Sequence, residues 1–257
     1  MKNKIDIQST EDNRKVKINK VGVKNVRYPI IVDDRENKNQ HTIGDLDIFV
    51  ELPHHHRGTH MSRFLEVLNR FHEDNLISKL PEFLTEIKQT LNAEAAYTVI
   101  RFPYFIRKHA PVSGIASLQS YICVFEASMK EEFEISIGVK VPITTLCPCS
   151  KEISDDGAHS QRSEVTVKIK FNEFVWLEEL IDIVESCGSC EIYPLLKRID
   201  EKYVTEKAYE NPSFVEDIVR DITLKLQNDK RITHYIVESE NYESIHSHNA
   251  YACVKSD

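Results

Sequence analysis

Nothing in the 257-residue sequence reaches the roughly 18 consecutive apolar residues of a membrane-spanning helix. The opening stretch, MKNKIDIQSTEDNRKVKINK, lacks the apolar core of a signal peptide. These absences lead to the expectation of a cytoplasmic protein with no membrane partner. An excess of positive charge is also missing, because Lys and Arg number 33 against 41 Asp and Glu, for a net charge of −8. That balance excludes a dedicated nucleic-acid binder. Short basic runs such as Lys15 to Lys20 and Arg101 to Lys108 can still meet phosphates, so a small anionic ligand stays open. No Pro- or Ser-rich linker separates the halves. With 41% hydrophobic residues at this length the chain can bury a proper core.

Disulfides are not expected either. The six cysteines, Cys123, Cys147, Cys149, Cys187, Cys190 and Cys253, read in a cytosolic chain as thiols or metal ligands. The run HHHRGTH at 54–60 sits inside the chain and reads as native loop, not as a purification scar.

Periodicity gives the organisation. VGVKNVRYPIIVDD and TIGDLDIFVELP read as an antiparallel hairpin. Met61, Phe64, Leu65 and Leu68 fall at i, i+3, i+4 and i+7 of a helix with Thr59 or Ser62 available as cap, and LPEFLTEIKQTL looks like its partner. AAYTVIRFPYF and LQSYICVFEASM return to strand composition near residue 130. The order then starts again. Phe133, Ile135, Ile137, Val139 and Val141 alternate on one strand face, as do Val165, Val167, Ile169 and Phe171. Leu177, Leu180, Ile181 and Val184 form one helical stripe, and Val215, Ile218, Val219 and Ile222 another. Two strand-like runs around a segment rich in Glu and His close the chain. The expectation is an α+β fold of two β-β-α-α-β-β units, residues 1–130 with an N-terminal extension and 131–257, whose long sheet edges call for an oligomer.

The chemistry concentrates in LCPCSKEISDDGAHSQRS, residues 146–163. Thiolate and imidazole are the usual ligands of a divalent metal such as zinc. If the Cys-x-Cys segment is extended, Cys147 and Cys149 point to opposite sides, so one ligates and the other serves a different purpose. The alternative is that both are small core residues and His159 a turn histidine. Cys187 and Cys190 form a lone Cys-x-x-Cys after a helix, which favours packing over redox chemistry. Glu216 stands at a helix start, where it either closes a capping box with Ser213 or accepts N–H groups from a purine or pterin edge. His246 and His248, with Glu243 nearby, fall on one side of an extended segment and suit proton transfer, although surface histidines are common. Lys151, Arg162, Arg63, Arg101 and Lys108 are phosphate candidates.

PITTLCPCSKEISDDGAHSQRS, together with GTHMSRF, APVSGI, LLKRIDEKYVTEKAYENPSFVEDIVRD and VESENYESIHSHNAYA, resembles the prokaryotic type IB GTP cyclohydrolase family across nearly the whole chain. The resemblance implies tandem tunnelling-fold (T-fold) units in a homotetramer with active sites at subunit interfaces. It also implies conversion of GTP and water to 7,8-dihydroneopterin triphosphate and formate. By position, Cys147, His159 and Glu201 would be ligands of one divalent metal per site, manganese or zinc. Cys149 would face the reacting part of the substrate, Glu216 the guanine edge, and His246 and His248 would carry protons. Asp200, beside Glu201, can be mistaken for it. Ser160 stands where the family pattern has Asn, which puts a hydrogen bond beside the ligand His159 in doubt. Two other readings remain: a related enzyme acting on another purine or pterin, and a non-catalytic oligomer stapled by metal.

Overall fold

A computed structural model of the chain describes residues 8, 10–72 and 74–256. Residues 1–7 and 9 of the stretch read for a signal peptide lie outside the described residues. In chain order the elements are β1 (Ile18–Asp34), β2 (Lys38–Leu52), α1 (Met61–Arg70), α2 (Leu80–Leu91), β3 (Ala96–His109), β4 (Ala116–Met129) and β5 (Phe133–Leu146). There follow α3 (Pro148–Ile153), β6 (Ser160–Phe171), α4 (Leu177–Glu185), β7 (Cys190–Glu191), α5 (Arg198–Glu210), α6 (Val215–Asn228), β8 (Ile232–Asn241) and β9 (Ala250–Lys255). The fold is α+β, and the strand pairs β1/β2, β2/β3, β5/β6, β5/β7, β6/β8 and β8/β9 are all antiparallel. Two compact units divide it: the described residues up to Phe102 with Val124–Ile135, and Pro103–Cys123 with the described residues from Ser136 onward. The expected boundary at residue 130 follows element order, whereas these units follow contacts, and each takes part of β3 and β4. No helix among the described residues is long and apolar enough to cross a membrane.

In the first unit β1 and β2 meet at a tight turn, where the Asp34 carboxylate accepts the Glu36 and Asn37 N–H groups at 2.9 and 2.7 Å. Gly22 is required by close approach, since a Cβ there would stand 2.0 Å from the Ile48 carbonyl oxygen. Phe64, Val67 and Leu68 of α1 and Phe83, Leu84 and Ile87 of α2 are buried. Neither Thr59 nor Ser62 caps α1. Its N-cap is His60, which gives no side-chain cap hydrogen bond.

The second unit contains the clearest alternation. Ile137, Val139 and Val141 of β5 stand opposite Ile169, Val167 and Val165 of β6, all buried, so each pair shares the core face. Phe133, Ile135 and Phe171, at the strand ends, are only half-buried. The stripes on α4 and α6 are buried as their spacing requires, and α6 packs against β8, β9 and α4.

Helix α5 has no such stripe. Only Asp200 and Ala208 are buried, while Ile199, Tyr203 and Tyr209 are exposed, so apolar spacing does not reveal it. Its start is fixed by Asp200, whose carboxylate accepts the N–H groups of Lys197, Val112 and Ser113 at 2.8, 2.9 and 2.8 Å and the Ser113 hydroxyl at 2.6 Å. Burial alone would raise this carboxyl's pKa. The hydrogen bonds from Ser113, Lys197 and Val112 outweigh burial and hold it well below the ordinary carboxylate range.

A folded pKa below the unfolded value contributes stability that is present above about pH 4 and is lost as pH falls through the folded value. Thermal melts from about pH 7 down to pH 2 should therefore show Asp200→Asn less stable than wild type at neutral pH, with the two converging in acid. Glu201→Gln, at an exposed position, should track wild type throughout. Parallel curves for Asp200→Asn and wild type would contradict the cap. Ile222→Ala, at a fully buried position on α6, should cost about 2–5 kcal/mol in urea unfolding. A loss below about 1 kcal/mol would contradict the packing of α6.

Candidate active site

The register of β5 and β6 ends with Leu146 opposite Ser160, and the Cys147 N–H donates to the His159 carbonyl at 3.1 Å. Pro148 then occupies the first turn of α3, where its fixed φ suits a helix start and its missing N–H costs nothing. The Cys-Pro-Cys segment is therefore not extended, so the condition under which its two sulfurs would point to opposite sides is not met. Cys147 is the N-cap, with extended φ and ψ of −69° and 117°, and its Sγ accepts the Ser150 N–H at 3.4 Å. Cys149 lies inside the helix and is exposed. Ser150 Oγ accepts the His159 N–H at 3.2 Å, closing the loop on itself.

Two further segments come to the same place. The Ser213 N–H donates to the Leu146 carbonyl at 3.0 Å and ties the start of α6 to the end of β5. The Tyr242 N–H donates to the Arg162 carbonyl at 3.0 Å and anchors the loop between β8 and β9. The result is a cleft of about 290 Å3 lined by Cys147, His159, Gln161, Glu216, Glu243, His246 and His248, among others. The loop is bent, not the extended run expected from sequence, yet the His246 and His248 rings still stack 5.2 Å apart. His246 also meets the His159 ring edge-on at 6.4 Å.

The capping alternative for Glu216 is overturned. Helix α6 starts one residue later than that reading requires, Phe214 is the N-cap, and its N–H is satisfied by Asp217 at 3.1 Å. Glu216 is exposed in the first turn, where the helix dipole favours an anion, and it lines the cleft.

His159 is held from one side. Its Nδ1 faces Gln161 Oε1 at 3.0 Å and Glu243 Oε2 at 3.8 Å. Gln161 was missed in the sequence reading, although period two along β6 places it on the face of His159. The flanking Ser160 is exposed on the opposite face and lines a separate cleft of about 450 Å3 with Arg162 and Tyr209, so a partner for the His159 ring comes from Gln161 instead. Two cleft-lining acceptors, Glu243 Oε2 and Asn241 Oδ1, are buried without a hydrogen-bond partner among the described residues.

The donor chemistry suits a divalent metal: a thiol and an imidazole lie in one cleft, with a carboxylate oxygen beside them that no donor satisfies. The third expected ligand is elsewhere. Glu201 is exposed on α5 and does not line this cleft, and no group of three His, Cys, Asp or Glu side chains converges on a metal position among the described residues. Asp200 is committed to its cap and is not a substitute.

Of the phosphate candidates, Lys108 has a side chain only 9% exposed and pairs with Glu185 and Glu191 at 2.7 and 2.9 Å, and Arg101 pairs with Asp47 at 3.1 Å. Arg63 donates to the Thr90 carbonyl at 3.4 Å, and Lys151 lies 4.3 Å over the Tyr209 ring. Cys187 and Cys190 are free, buried thiols whose pKa values burial pushes up, consistent with packing.

Comparison with known proteins adds the family. Residues 5–252 match the family model described as Type I GTP cyclohydrolase folE2. The chain is 53% identical to GTP cyclohydrolase FolE2 of Geobacter metallireducens over 98% of its length and 97% of the relative's. It is 54% identical to that of Syntrophus aciditrophicus, over 98% and 100%. Among solved structures it is similar to urate oxidase from Bacillus sp. TB-90, with a TM-score of 0.56 and 11% identity over 93% of this chain and 99% of that one. Urate oxidase from Bacillus subtilis 168 gives 0.53 and 9% over 92% and 98%. At such identity these structures speak for the fold alone. The designation type IB is not part of the matching names. On a match that runs from residue 5 to residue 252 and relatives identical at half their positions, the chain belongs to the type I GTP cyclohydrolase FolE2 family.

Proposed function

We propose that this chain is a GTP cyclohydrolase I of type IB, built from tandem T-fold units. It converts GTP and water to 7,8-dihydroneopterin triphosphate and formate, the first step of tetrahydrofolate biosynthesis and in some bacteria a step toward queuosine. The observation that supports this best is the convergence of Cys147, His159, Glu216, His246 and His248, from separate segments, on one cleft.

Cys147 and His159 would hold one divalent metal, manganese or zinc, with Glu201 as the third ligand. Glu201's exposure on α5 leaves it available to a site completed by a neighbouring subunit of a cytoplasmic homotetramer. A metal bound there supplies a Lewis acid that lowers the pKa of water for attack at C8 of guanine. The residues of the chain do the rest. Glu216 accepts the N–H donors of the guanine edge and sets the purine's orientation. His246 and His248, stacked at 5.2 Å, move protons during ring opening and the later rearrangement of the sugar. Cys149, exposed just past Pro148, acts at the reacting part of the substrate.

Metal-stripped protein assayed anaerobically with GTP should give neopterin fluorescence after oxidation, with equimolar formate, only when manganese or zinc is restored. His246→Ala, His248→Ala and Cys149→Ala should remain folded and lose about 100-fold or more in kcat. No pterin under any metal, from folded protein, would move the substrate to another purine or pterin. Full activity in all three variants would overturn the catalytic roles given to these side chains.

A further inference from the structure

The orientation of the His159 ring has a cause in the core beneath it. Gln161 is 9% exposed, and both ends of its amide are engaged. Its Nε2 donates to Thr145 Oγ1 at 2.9 Å, and that hydroxyl shares a 2.7 Å hydrogen bond with Ser163 Oγ. Thr145 and Ser163 are completely buried, on neighbouring strands of the same face. With the nitrogen end of the amide held there, the oxygen end meets His159 Nδ1 at 3.0 Å. Glu243 Oε2, an acceptor only, stands 3.8 Å from the same nitrogen and has no hydrogen-bond partner of its own among the described residues. The Gln161 amide oxygen at 3.0 Å and the Glu243 carboxylate, which can only accept, both favour a hydrogen on Nδ1.

We propose that Gln161, anchored by Thr145 and Ser163, is a positioning residue that keeps His159 in the Nδ1–H tautomer and so presents the Nε2 lone pair to the cleft. This rests on the reading of His159 as a metal ligand. Nitrogen ligands of metals commonly donate their other ring N–H to a fixed acceptor, and loss of that acceptor typically costs 10- to 100-fold in metal affinity. Gln161 would not touch the metal or the substrate. It would act through the ring that does.

The test uses apo full-length protein with 15N-labelled histidine, and Mn2+ or Zn2+ alone as the probe. Long-range 1H–15N correlation spectra report the His159 tautomer, with the signal assigned by its loss in His159→Ala. Competition with a chelating dye reports metal affinity. Gln161→Leu is expected to raise the Nε2–H population and to weaken metal binding by about 10- to 100-fold. Gln161→Glu, which keeps an acceptor at Nδ1, is expected to match or exceed the wild-type affinity. A wild-type tautomer in Gln161→Leu overturns the proposal. If that variant does not fold, a tenfold fall in Gln161→Glu overturns it instead. Undiminished metal binding by His159→Ala would defeat the ligand reading alone, and the tautomer spectra would still judge Gln161.

Discussion

A single backbone hydrogen bond organises the second unit's cleft: the Cys147 N–H to the His159 carbonyl, at 3.1 Å, where the β5/β6 ladder ends. It brings residues twelve positions apart in the chain to the mouth of one hairpin. The proline between the cysteines then turns the chain into α3 immediately, so Cys147 stays at the ladder while Cys149 is carried away on the helix. The next constraint builds on it. The Ser213 N–H donates to Leu146, the last residue of the same ladder, so α6 starts where β5 stops and Glu216 lines the same cleft as Cys147.

The cleft is paired with an unusual core. Beneath His159 the inward face of the sheet is polar, with Thr145, Gln161, Ser163 and Asn241 all buried. Burying such groups costs stability unless they are hydrogen-bonded; Thr145, Gln161 and Ser163 are linked to one another and so hold a defined geometry, while Asn241 Oδ1 has no hydrogen-bond partner among the described residues. A few residues along β5 and β6 the same face is Val139, Val141, Val165 and Val167, where nothing but packing is asked of it. The switch from apolar to polar along one face marks where the scaffold ends and the site begins.

Most strands and the α4 and α6 stripes were legible, because each has an apolar face with a clean period and that period follows from burial. The misreadings have specific physical causes. Caps were assigned one or two residues away, to Thr59 or Ser62 and to Ser213 with Glu216, because several polar residues stand at each helix start and only backbone geometry chooses among them. Helix α5 escaped notice since its anchor is a buried carboxylate, not an apolar stripe. The sequence left the conformation of Cys-x-Cys open, although a proline at its centre is a first-turn signal. Cys147, His159, Glu216, His246 and His248 were all picked out from their types and spacing, and the structure brings them to one cleft. Gln161 was not, because its importance comes from the hydrogen bond on its far side, to Thr145, which no local pattern displays.

If this cleft is the seat of the chemistry, the divalent metal binds in it. Anomalous diffraction at the manganese edge, from crystals of the manganese-loaded protein, tests it most directly. One strong peak per chain is expected within bonding distance of Cys147 Sγ and His159 Nε2. A peak held by other residues, or none in protein that turns over GTP, would contradict it.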